Sequence, residues 1–246
     1  MNSYCFVIPV YNHAQGITNT ITKLKVYQLP CVVVDDGSDA ACAAAIDTLA
    51  TLADVEVVRH PVNRGKGGAV KSGLKRAQEL GYSHAIQLDA DEQHDLANLG
   101  EMRAQAEADP EAMIIGQPIY DETVPRGRYY GRYATHVWVW INTLSRAIPD
   151  AMCGFRIYPL KAAVALIDNT HVGERMDFDV EILVKLSWSG IRFVPVPVKV
   201  HYDPEIPSHF HYLKDNLLIA AMHTRLFFGM LLRSPRLIAA KFSSGS

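Results

Sequence analysis

Residues 31–38 read CVVVDDGS, four apolar residues that end abruptly in two aspartates, a glycine and a serine. Apolar runs of this kind, without alternation of polar residues, are typical of strands that are buried on both faces of a parallel sheet. Polar residues directly after such a strand lie at the carboxyl edge of the sheet, where open α/β folds bind ligands. This stretch therefore predicts an α/β fold with a binding edge.

The segments on either side repeat the alternation of strand and helix. Further strands are predicted at residues 4–9, 55–58, 85–88 and 112–115. Between them apolar residues recur at helical spacing, as at Ile17, Ile21 and Leu24. This alternation implies right-handed βαβ units and a mostly parallel sheet that is covered by helices on both faces.

The second half of the chain is less regular. Helices are predicted at residues 129–148, 178–189 and 212–232, with a short extended segment at residues 157–159. Residues 191–200 predict a strand, and its Pro195 and Pro197 favour a position at the edge of the sheet.

Composition excludes several classes of protein. The 246 residues suffice for one large α/β domain or at most two small ones. With 49% hydrophobic and 20% charged residues the chain is not disordered, and a net charge of −2 argues against a nucleic-acid binder. The four cysteines show no metal-binding or C-x-x-C spacing, and are interpreted as buried thiols in a reducing compartment. No secretory signal is recognised, and no apolar run reaches the ~20 residues of a membrane span.

Polar clusters follow three of the predicted strands. They read PVYN at residues 9–12, DDGS at residues 35–38 and DAD at residues 89–91. Any one of them is weak evidence, because turns after strands favour Asp, Asn, Gly and Ser in any case. Since parallel strands end at one edge, the three clusters together predict a ligand site there.

The Asp89-Ala90-Asp91 turn has the chemistry of a divalent cation site. Two carboxylates just past a strand can share one hard cation, and Mg²⁺ or Mn²⁺ prefers oxygen ligands and bridges to substrate phosphates. Such a metal neutralises charge on a leaving diphosphate, and Gln93 is close enough to assist. The alternative is a solvated acidic turn in which Asp95 caps the next helix.

A glycine-rich loop, NRGKGG at residues 63–68, precedes a predicted helix. Backbone N–H groups at the start of a helix can bind an anion. The loop has neither the P-loop spacing nor the G-x-G-x-x-G pattern after the first strand. The alternative is a glycine turn that leads into an ordinary basic helix.

Together these motifs resemble the family 2 glycosyltransferases of the GT-A fold, and most closely the dolichol-phosphate mannose synthase branch. The resemblance runs from residue 6 to about residue 200 and is carried by VIPVYN at 7–12, VVDDGS at 33–38, NRGKG at 63–67, LDADEQH at 88–94, GFR at 154–156 and FDVE at 178–181. It implies a Rossmann-like three-layer α/β/α sandwich with a mostly parallel sheet and a C-terminal amphipathic helical extension. The expected division is a glycosyltransferase domain at residues 1–205, an acceptor loop and membrane-associating helix at 206–242, and a flexible tail at 243–246.

The resemblance implies a donor site for a UDP- or GDP-sugar. The first strand's motif and Asp36 would line the base and ribose, Lys66 would lie beside the nucleotide, and Asp89, Asp91 and Gln93 would hold Mg²⁺ or Mn²⁺ on the diphosphate. The donor residues predicted in full are Pro9, Tyr11, Asn12, Asp35, Asp36, Gly37, Ser38, Asn63, Gly65, Lys66, Gly67 and Ala90. His13 stands where relatives often carry Glu.

The implied reaction transfers a sugar with inversion. If the acceptor is an alcohol, a carboxylate must take its proton, and Asp179 and Glu181 are the candidates, with Asp177 nearby. If the acceptor is a lipid phosphate, it is already anionic and needs no base. The same carboxylates can then be structural, with Asp179 capping a helix.

The acceptor site is predicted from basic residues and from the resemblance. Arginine pairs suit phosphate oxygens, although such a cluster can also be a solvated loop. The predicted acceptor residues are Arg126, Arg128, Arg132, Arg156, Ser208 and His209. The last two lie where relatives have an acceptor loop, but the arginine often found in that loop is absent.

The C-terminal region carries apolar segments at residues 217–222 and 226–232, interrupted by His223 and Arg225 and followed by basic residues. This pattern is typical of a helix in the headgroup region of a membrane, and the alternative is a helix that packs on the domain or on a partner subunit. The predicted protein is a peripheral enzyme on the inner face of the cytoplasmic membrane. It would act on polyprenyl phosphate or another lipid hydroxyl or phosphate.

Two other functions are weighed against this one. A sugar-phosphate nucleotidyltransferase needs a glycine-rich, arginine-bearing loop after the first strand, which residues 12–17 lack. A non-catalytic scaffold could keep a nucleotide-binding fold to bind a membrane or a partner. The intact Asp36, Asp89 and Asp91 argue against the scaffold.

Overall fold

The computed structural model describes residues 2–90, 95–119, 126–199 and 212–243. These residues form a seven-stranded sheet of order β3-β2-β1-β4-β6-β5-β7. Its strands are β1 Tyr4–Val10, β2 Cys31–Asp35, β3 Val55–Arg59, β4 His84–Gln87, β5 Met113–Ile119, β6 Arg156–Pro159 and β7 Phe193–Lys199. Paired strands run parallel except at β6, which is antiparallel to both β4 and β5. The predicted mostly parallel sheet is confirmed.

The helices follow the strands in the predicted alternation. They are α1 Ala14–Leu24, α2 Ala40–Leu49, α3 Lys66–Glu79, α4 Leu99–Ala108, α5 Arg126–Thr143, α6 Leu160–Asn169, α7 Phe178–Trp188 and α8 Tyr212–Ser243. Helix α6 was not predicted, although Leu160, Ala163 and Val164 form its buried face. Asp95 accepts a hydrogen bond from the backbone N–H of Ala97 and so caps the 3-10 turn Leu96–Asn98 that precedes α4, as the alternative of a solvated acidic turn expected.

Two apolar clusters, one on each face of the sheet, form the core. Because successive side chains of β1 point to opposite faces, Val7 packs in one cluster with Leu74 of α3, and Ile8 packs in the other with Ile17 of α1. Helix α3 lies so close to the sheet that a Cβ at Gly73 would be 2.4 Å from a methyl group of Val7. This arrangement is the predicted three-layer sandwich.

Strand register brings several loops to one edge. Val10 pairs with Asp35, and Asp35 pairs with Arg59, so β1, β2 and β3 end at the same level. The predicted edge position of the proline-containing strand is also confirmed, since among the described residues β7 is the last strand of the sheet and pairs with β5 alone.

The four cysteines are buried and free, as predicted. Burial raises the pKa of Cys5, Cys31 and Cys153 to about 12, so these thiols stay protonated at neutral pH.

Helix α8 is longer than predicted and continues past Leu232 to Ser243. Met222, Leu226 and Met230 are buried where α8 packs on the domain, and α8 contacts both α5 and α7. Its residues Leu213–Ala240 are long and apolar enough to cross a membrane by length and composition, with 22% of the apolar window buried. The interruptions at His223 and Arg225 therefore do not remove this property, contrary to the sequence-based expectation that no span is present.

Candidate active site

The loops after β1 and β2 are hydrogen-bonded to each other at the carboxyl edge. Asn12 has a φ of +54°, a conformation that Asn tolerates better than most residues. In this conformation its N–H donates to Ser38 Oγ over 3.1 Å, and its Oδ1 accepts from the N–H of Asp39 over 2.7 Å. Pro9 and Tyr11 lie half-buried beside this contact. The two polar motifs thus form one structure.

The two aspartates that end β2 have different roles. Asp35 accepts from the N–H of Ser38 over 2.9 Å and pairs with Arg59 over 2.9 Å, which fixes the turn. Gly37 has a φ of +73°, and a Cβ there would lie 2.7 Å from the backbone nitrogen of Asn63. The turn after β2 therefore packs directly on the glycine-rich loop.

Asp36 fixes the glycine-rich loop by accepting hydrogen bonds from its backbone. Its Oδ2 accepts from the N–H of Gly65 over 2.7 Å, and its Oδ1 accepts from the N–H of Arg64 over 2.9 Å. Oδ1 also lies 2.6 Å from Nδ1 of His60, whose Nε2 lies 2.9 Å from Ser72 Oγ. Since Asp36 is buried and its oxygens are engaged by the protein, it shapes the glycine-rich loop by hydrogen bonding.

The glycine-rich loop is enclosed on its other side by the segment before α7. Gly65 has a φ of +96°, and a Cβ there would lie 2.6 Å from the carbonyl oxygen of Glu174. The N–H of Gly68 donates to the same carbonyl oxygen over 2.8 Å. A Cβ at Gly67 would lie 2.3 Å from the Cβ of Phe178. The loop is therefore held in one conformation where α3 begins.

Four charged side chains, from α3, β6, α7 and the loop after β4, meet beside this loop. Lys66, the first residue of α3, places Nζ 2.9 Å from Oδ2 of Asp89 and 3.0 Å from Oδ2 of Asp179. Nη1 of Arg156 lies 3.3 Å from Oδ1 of Asp179. Burial lowers the pKa of Lys66, but the carboxylates of Asp179 and Asp89 raise it by more, so that the pKa is raised overall. The cluster thus alternates two anions with two cations.

The surroundings of Asp89 fit a divalent cation. Its carboxylate is partly exposed at the sheet edge and is paired with the ammonium of Lys66. It also packs directly on the backbone of Gly154, where a Cβ would lie 2.4 Å from Oδ2. Oxygen donors of this kind suit Mg²⁺ and Mn²⁺. Among the described residues there is no group of three or more His, Cys, Asp or Glu that could hold a metal. Two of the three predicted ligands, Asp91 and Gln93, lie outside the described ranges. Ala90 is buried, with its carbonyl oxygen against Gly16.

The carboxylates of α7 separate into different environments. Asp179 points into the charged cluster and is the second residue of the helix, whereas Asp177 occupies the N-cap position. Asp179 is thus not the helix cap that was considered as an alternative. Glu181 is buried elsewhere, accepting from the N–H of Gly173 over 2.8 Å and pairing with Lys185 over 2.9 Å. Only Asp179 of the two predicted catalytic residues therefore joins the cluster.

Arg156 lies behind Asp179, not on an exposed surface. It is fully buried and donates to the carbonyl oxygens of Cys153, Ala151 and Asp179 over 2.7, 2.8 and 3.0 Å. An acceptor cannot reach a guanidinium enclosed in this way. The predicted acceptor contact of Arg156 is therefore revised to a positioning role for Asp179.

Arg132 makes a bidentate ion pair with Asp150, over 2.6 and 2.7 Å. Asp150 also accepts from the N–H groups of Met152 and Cys153, over 2.8 and 2.9 Å. Burial raises the pKa of Asp150, but hydrogen bonds from His136 and Arg132 hold it well below its usual range. Arg132 thus supports the segment that leads into β6. Four other predicted acceptor residues cannot be placed. The side chains of Arg126 and Arg128 are not described, and Ser208 and His209 lie outside the described ranges.

Two residues of this region, His60 and Glu174, were not predicted from the sequence. His60 follows β3 at the same edge and contacts Asp36. A signal for it existed, because it is a polar residue at the end of a predicted strand. Glu174 binds Arg64 over 2.8 Å and Lys71 over 3.2 Å, but it lies in an irregular segment that carried no comparable signal.

The sequence matches a family model described as glycosyl transferase family 2 over residues 5–162, more than half of the chain. The chain therefore belongs to this family and is a glycosyltransferase. The alternatives of a nucleotidyltransferase and of a non-catalytic scaffold are set aside by this finding.

Curated relatives include three named transferases. A dolichyl-phosphate beta-glucosyltransferase from Trichomonas vaginalis is 26% identical over 217 residues, 79% of this chain and 62% of that protein. The UDP-N-acetylglucosamine–dolichyl-phosphate N-acetylglucosaminyltransferase of Methanococcus voltae is 23% identical over 80% of this chain and 84% of that protein. The undecaprenyl-phosphate mannosyltransferase of Micrococcus luteus is 26% identical over 78% of this chain and 81% of that protein.

Solved structures confirm the GT-A fold. Glucosyl-3-phosphoglycerate synthase from M. tuberculosis aligns with a TM-score of 0.63 at 16% identity, covering 94% of this chain and 80% of that one. The mannosyltransferase PcManGT from Pyrobaculum calidifontis, in complex with GDP-Man and Mn²⁺, aligns with a TM-score of 0.58 at 18% identity, covering 94% and 64%.

Proposed function

We propose that this glycosyltransferase moves a sugar from a UDP- or GDP-sugar onto a lipid phosphate, with inversion at the anomeric carbon. The observation that carries the proposal is the alternating cluster of Asp89, Lys66, Asp179 and Arg156 beside the glycine-rich loop. The names of relatives support the substrate classes. Three relatives are named for transfer onto dolichyl-phosphate or undecaprenyl-phosphate, and one structural neighbour contains GDP-Man with Mn²⁺.

The donor site follows from the loops at the carboxyl edge. The base and ribose lie against the linked motifs of β1 and β2, and the diphosphate lies near the start of α3. Asp89, with Asp91 and Gln93, would hold Mg²⁺ or Mn²⁺. When bound, the metal supplies positive charge that stabilises the departing nucleoside diphosphate.

The chemistry of the acceptor decides whether Asp179 must act as a general base. A phosphate monoester has a second pKa near 6, so its attacking oxygen is largely anionic at neutral pH. Asp179 then accepts the proton of the fraction that is still protonated. If the acceptor is instead an alcohol, Asp179 is the general base, because Glu181 is enclosed by its own partners.

Helix α8 supports contact with a membrane. At 3.6 residues per turn, its exposed apolar side chains fall within an arc of about 120°, opposite the face that packs on the domain. These exposed residues are Leu213, Leu217, Phe228, Leu231, Leu232, Ile238 and Phe242, here called the outward stripe. From residue 216 to residue 246 the sequence has four Arg or Lys and no acidic residue. Such a face suits a surface of anionic lipids, and the buried reduced cysteines favour its cytoplasmic side.

The test is a transfer assay with the full chain and a short-chain polyprenyl phosphate. UDP-glucose, UDP-N-acetylglucosamine and GDP-mannose are each supplied with Mn²⁺, and lipid-linked sugar is measured. Transfer that depends on the lipid phosphate and is not seen with the matching polyprenol supports the proposal. Transfer to the polyprenol instead would overturn the acceptor class, and binding of neither UDP nor GDP would overturn the donor class.

A further inference from the structure

Lys66 occupies the position of a shared cation between two carboxylates from different elements. Its Nζ is within 3.0 Å of both Asp89 and Asp179, and its side chain is only 21% exposed. Without a cation between them, these two carboxylates would repel each other at close range. The ammonium therefore compensates their charge in the protein without ligands.

The backbone around Lys66 is fixed, so only the side chain can leave this position. Gly65 on one side is bound to Asp36 through its N–H, and Gly67 on the other side packs against Phe178. Asp179 keeps a second cation, the buried Arg156, whatever Lys66 does. Rotation of the Lys66 side chain can therefore release Asp89 and Asp179 while the two carboxylates stay in place.

We propose that Lys66 is a positioning residue that acts as an internal counter-cation. It holds Asp89 and Asp179 before ligands bind, and it must leave Asp89 when a divalent cation binds there. The freed ammonium then faces the donor diphosphate. The inference rests on the proposed donor site and adds a competition within it.

This competition has a thermodynamic consequence. Lys66 weakens the binding of a divalent cation to the protein alone, because both positive charges need the same carboxylate. A nucleoside diphosphate attracts Lys66 away and removes the competitor. Metal and nucleotide must then strengthen each other's binding by the same factor, since coupling between two binding sites is reciprocal.

The test measures Mn²⁺ binding to the full chain by the electron paramagnetic resonance signal of free Mn²⁺, without nucleotide and then with UDP or GDP. We expect Lys66→Met to bind Mn²⁺ without nucleotide about tenfold more tightly than the wild type, and to lose most of the enhancement by nucleotide. Lys66→Arg keeps the charge and should behave as the wild type. Lys75→Met is the matched control, since Lys75 lies on the same helix in a largely exposed ion pair with Asp168.

A merely structural role for Lys66 predicts the opposite sign, because a damaged site binds Mn²⁺ more weakly. Unchanged or weaker Mn²⁺ binding by a folded Lys66→Met variant would overturn the inference. If that variant does not fold, Lys66→Gln, which keeps hydrogen-bond donors, is measured against the same expectation. A wild type that binds neither UDP nor GDP with Mn²⁺ would fail the donor site itself, whereas normal nucleotide binding without tighter Mn²⁺ binding in the variant fails only the role of Lys66.

Discussion

The carboxyl edge of the sheet, where we propose donor binding and which is here called the donor edge, and the contact between α5 and α8 use polar side chains in opposite ways. At the donor edge, Asp36 is buried but binds two backbone N–H groups and His60. Between α5 and α8, Asn142 and His223 are also buried, yet the hydrogen bond between them is 3.3 Å long, and Asn142 Oδ1 and His223 Nε2 have no hydrogen-bond partner within the described ranges.

This difference in hydrogen bonding indicates which of the two regions is rigid. Hydrogen bonds to a charged group contribute ~1.5–3 kcal/mol each, whereas a buried polar atom without a partner costs ~1–3 kcal/mol. The donor edge is therefore fixed before any ligand arrives. The α5–α8 contact depends on apolar packing, as between Trp138 and Phe227, and so separates more easily.

The largest effect is expected at the donor edge. Asp36→Ala leaves two backbone N–H groups and His60 without their acceptor, so the free energy of unfolding should fall by about 4 kcal/mol. Urea denaturation of the variant and the wild type measures this difference in unfolding free energy. Asp47→Ala removes a carboxylate that is paired with Arg59 at the surface and should cost less than about 1 kcal/mol. Equal losses in the two variants would contradict the rigid donor edge.

The next effect separates the two carboxylates of α7. Asp179→Asn should lower kcat about tenfold with a lipid phosphate, because the amide removes the charge that positions Lys66, and at least about 100-fold with an alcohol acceptor, because it cannot accept a proton. Glu181→Gln should leave kcat within a few-fold. Both changes should reduce stability, since each breaks a buried ion pair. Steady-state kinetics and thermal melting are measured on both. A variant pair with the opposite pattern would assign catalysis to Glu181.

The α5–α8 contact should respond to pH through the buried His223. Burial lowers the pKa of His223 to about 4 from 6.5, so the unfolded chain binds more protons between these two values. Stability therefore falls as pH falls through this window, by about 2 kcal/mol between pH 7.5 and pH 5 for this group.

His223→Phe isolates that contribution. The difference in unfolding free energy between variant and wild type should grow in favour of the variant as pH falls from 6.5 to 4. Hydrogen exchange should show the wild-type loss first in α8. A difference that stays constant over this range would remove His223 as the cause.

The smallest effect on folding is expected on the outward stripe of α8. Leu232 is 84% exposed, so Leu232→Ser should change the unfolding free energy by less than about 0.5 kcal/mol. The same change should weaken flotation with vesicles that contain anionic lipid. Sedimentation gives the control: a wild-type dimer that Leu232→Ser converts to a monomer would show that the stripe contacts a second copy instead of a membrane.

Much of the fold could be predicted because both faces of the strands are buried. Continuous apolar runs such as residues 31–34 have few other interpretations, and parallel strands deliver their terminal loops to one edge. The pairing of Asn12 with Ser38 follows from that geometry. The meeting of the polar loops after β1 and β2 was accordingly predicted from spacing and from the resemblance.

Individual contacts in the site could not be predicted in this way. Periodicity says which face of an element is buried, but not which distant side chain it meets. Lys66 and Asp179 lie far apart in the chain and touch only because α3 and α7 converge. The burial of Arg156 depends on the carbonyl groups of Ala151 and Cys153, in an irregular segment without periodicity.

The reversed direction of β6 has a mechanical consequence. Most strands leave the sheet at the active edge, but β6 enters it there, so its first residue, Arg156, is both the start of a core strand and the support of Asp179. The preceding segment is tied to α5 through Asp150 and Arg132. A displacement of α5 would therefore be transmitted through this segment to Arg156 and so to the position of Asp179.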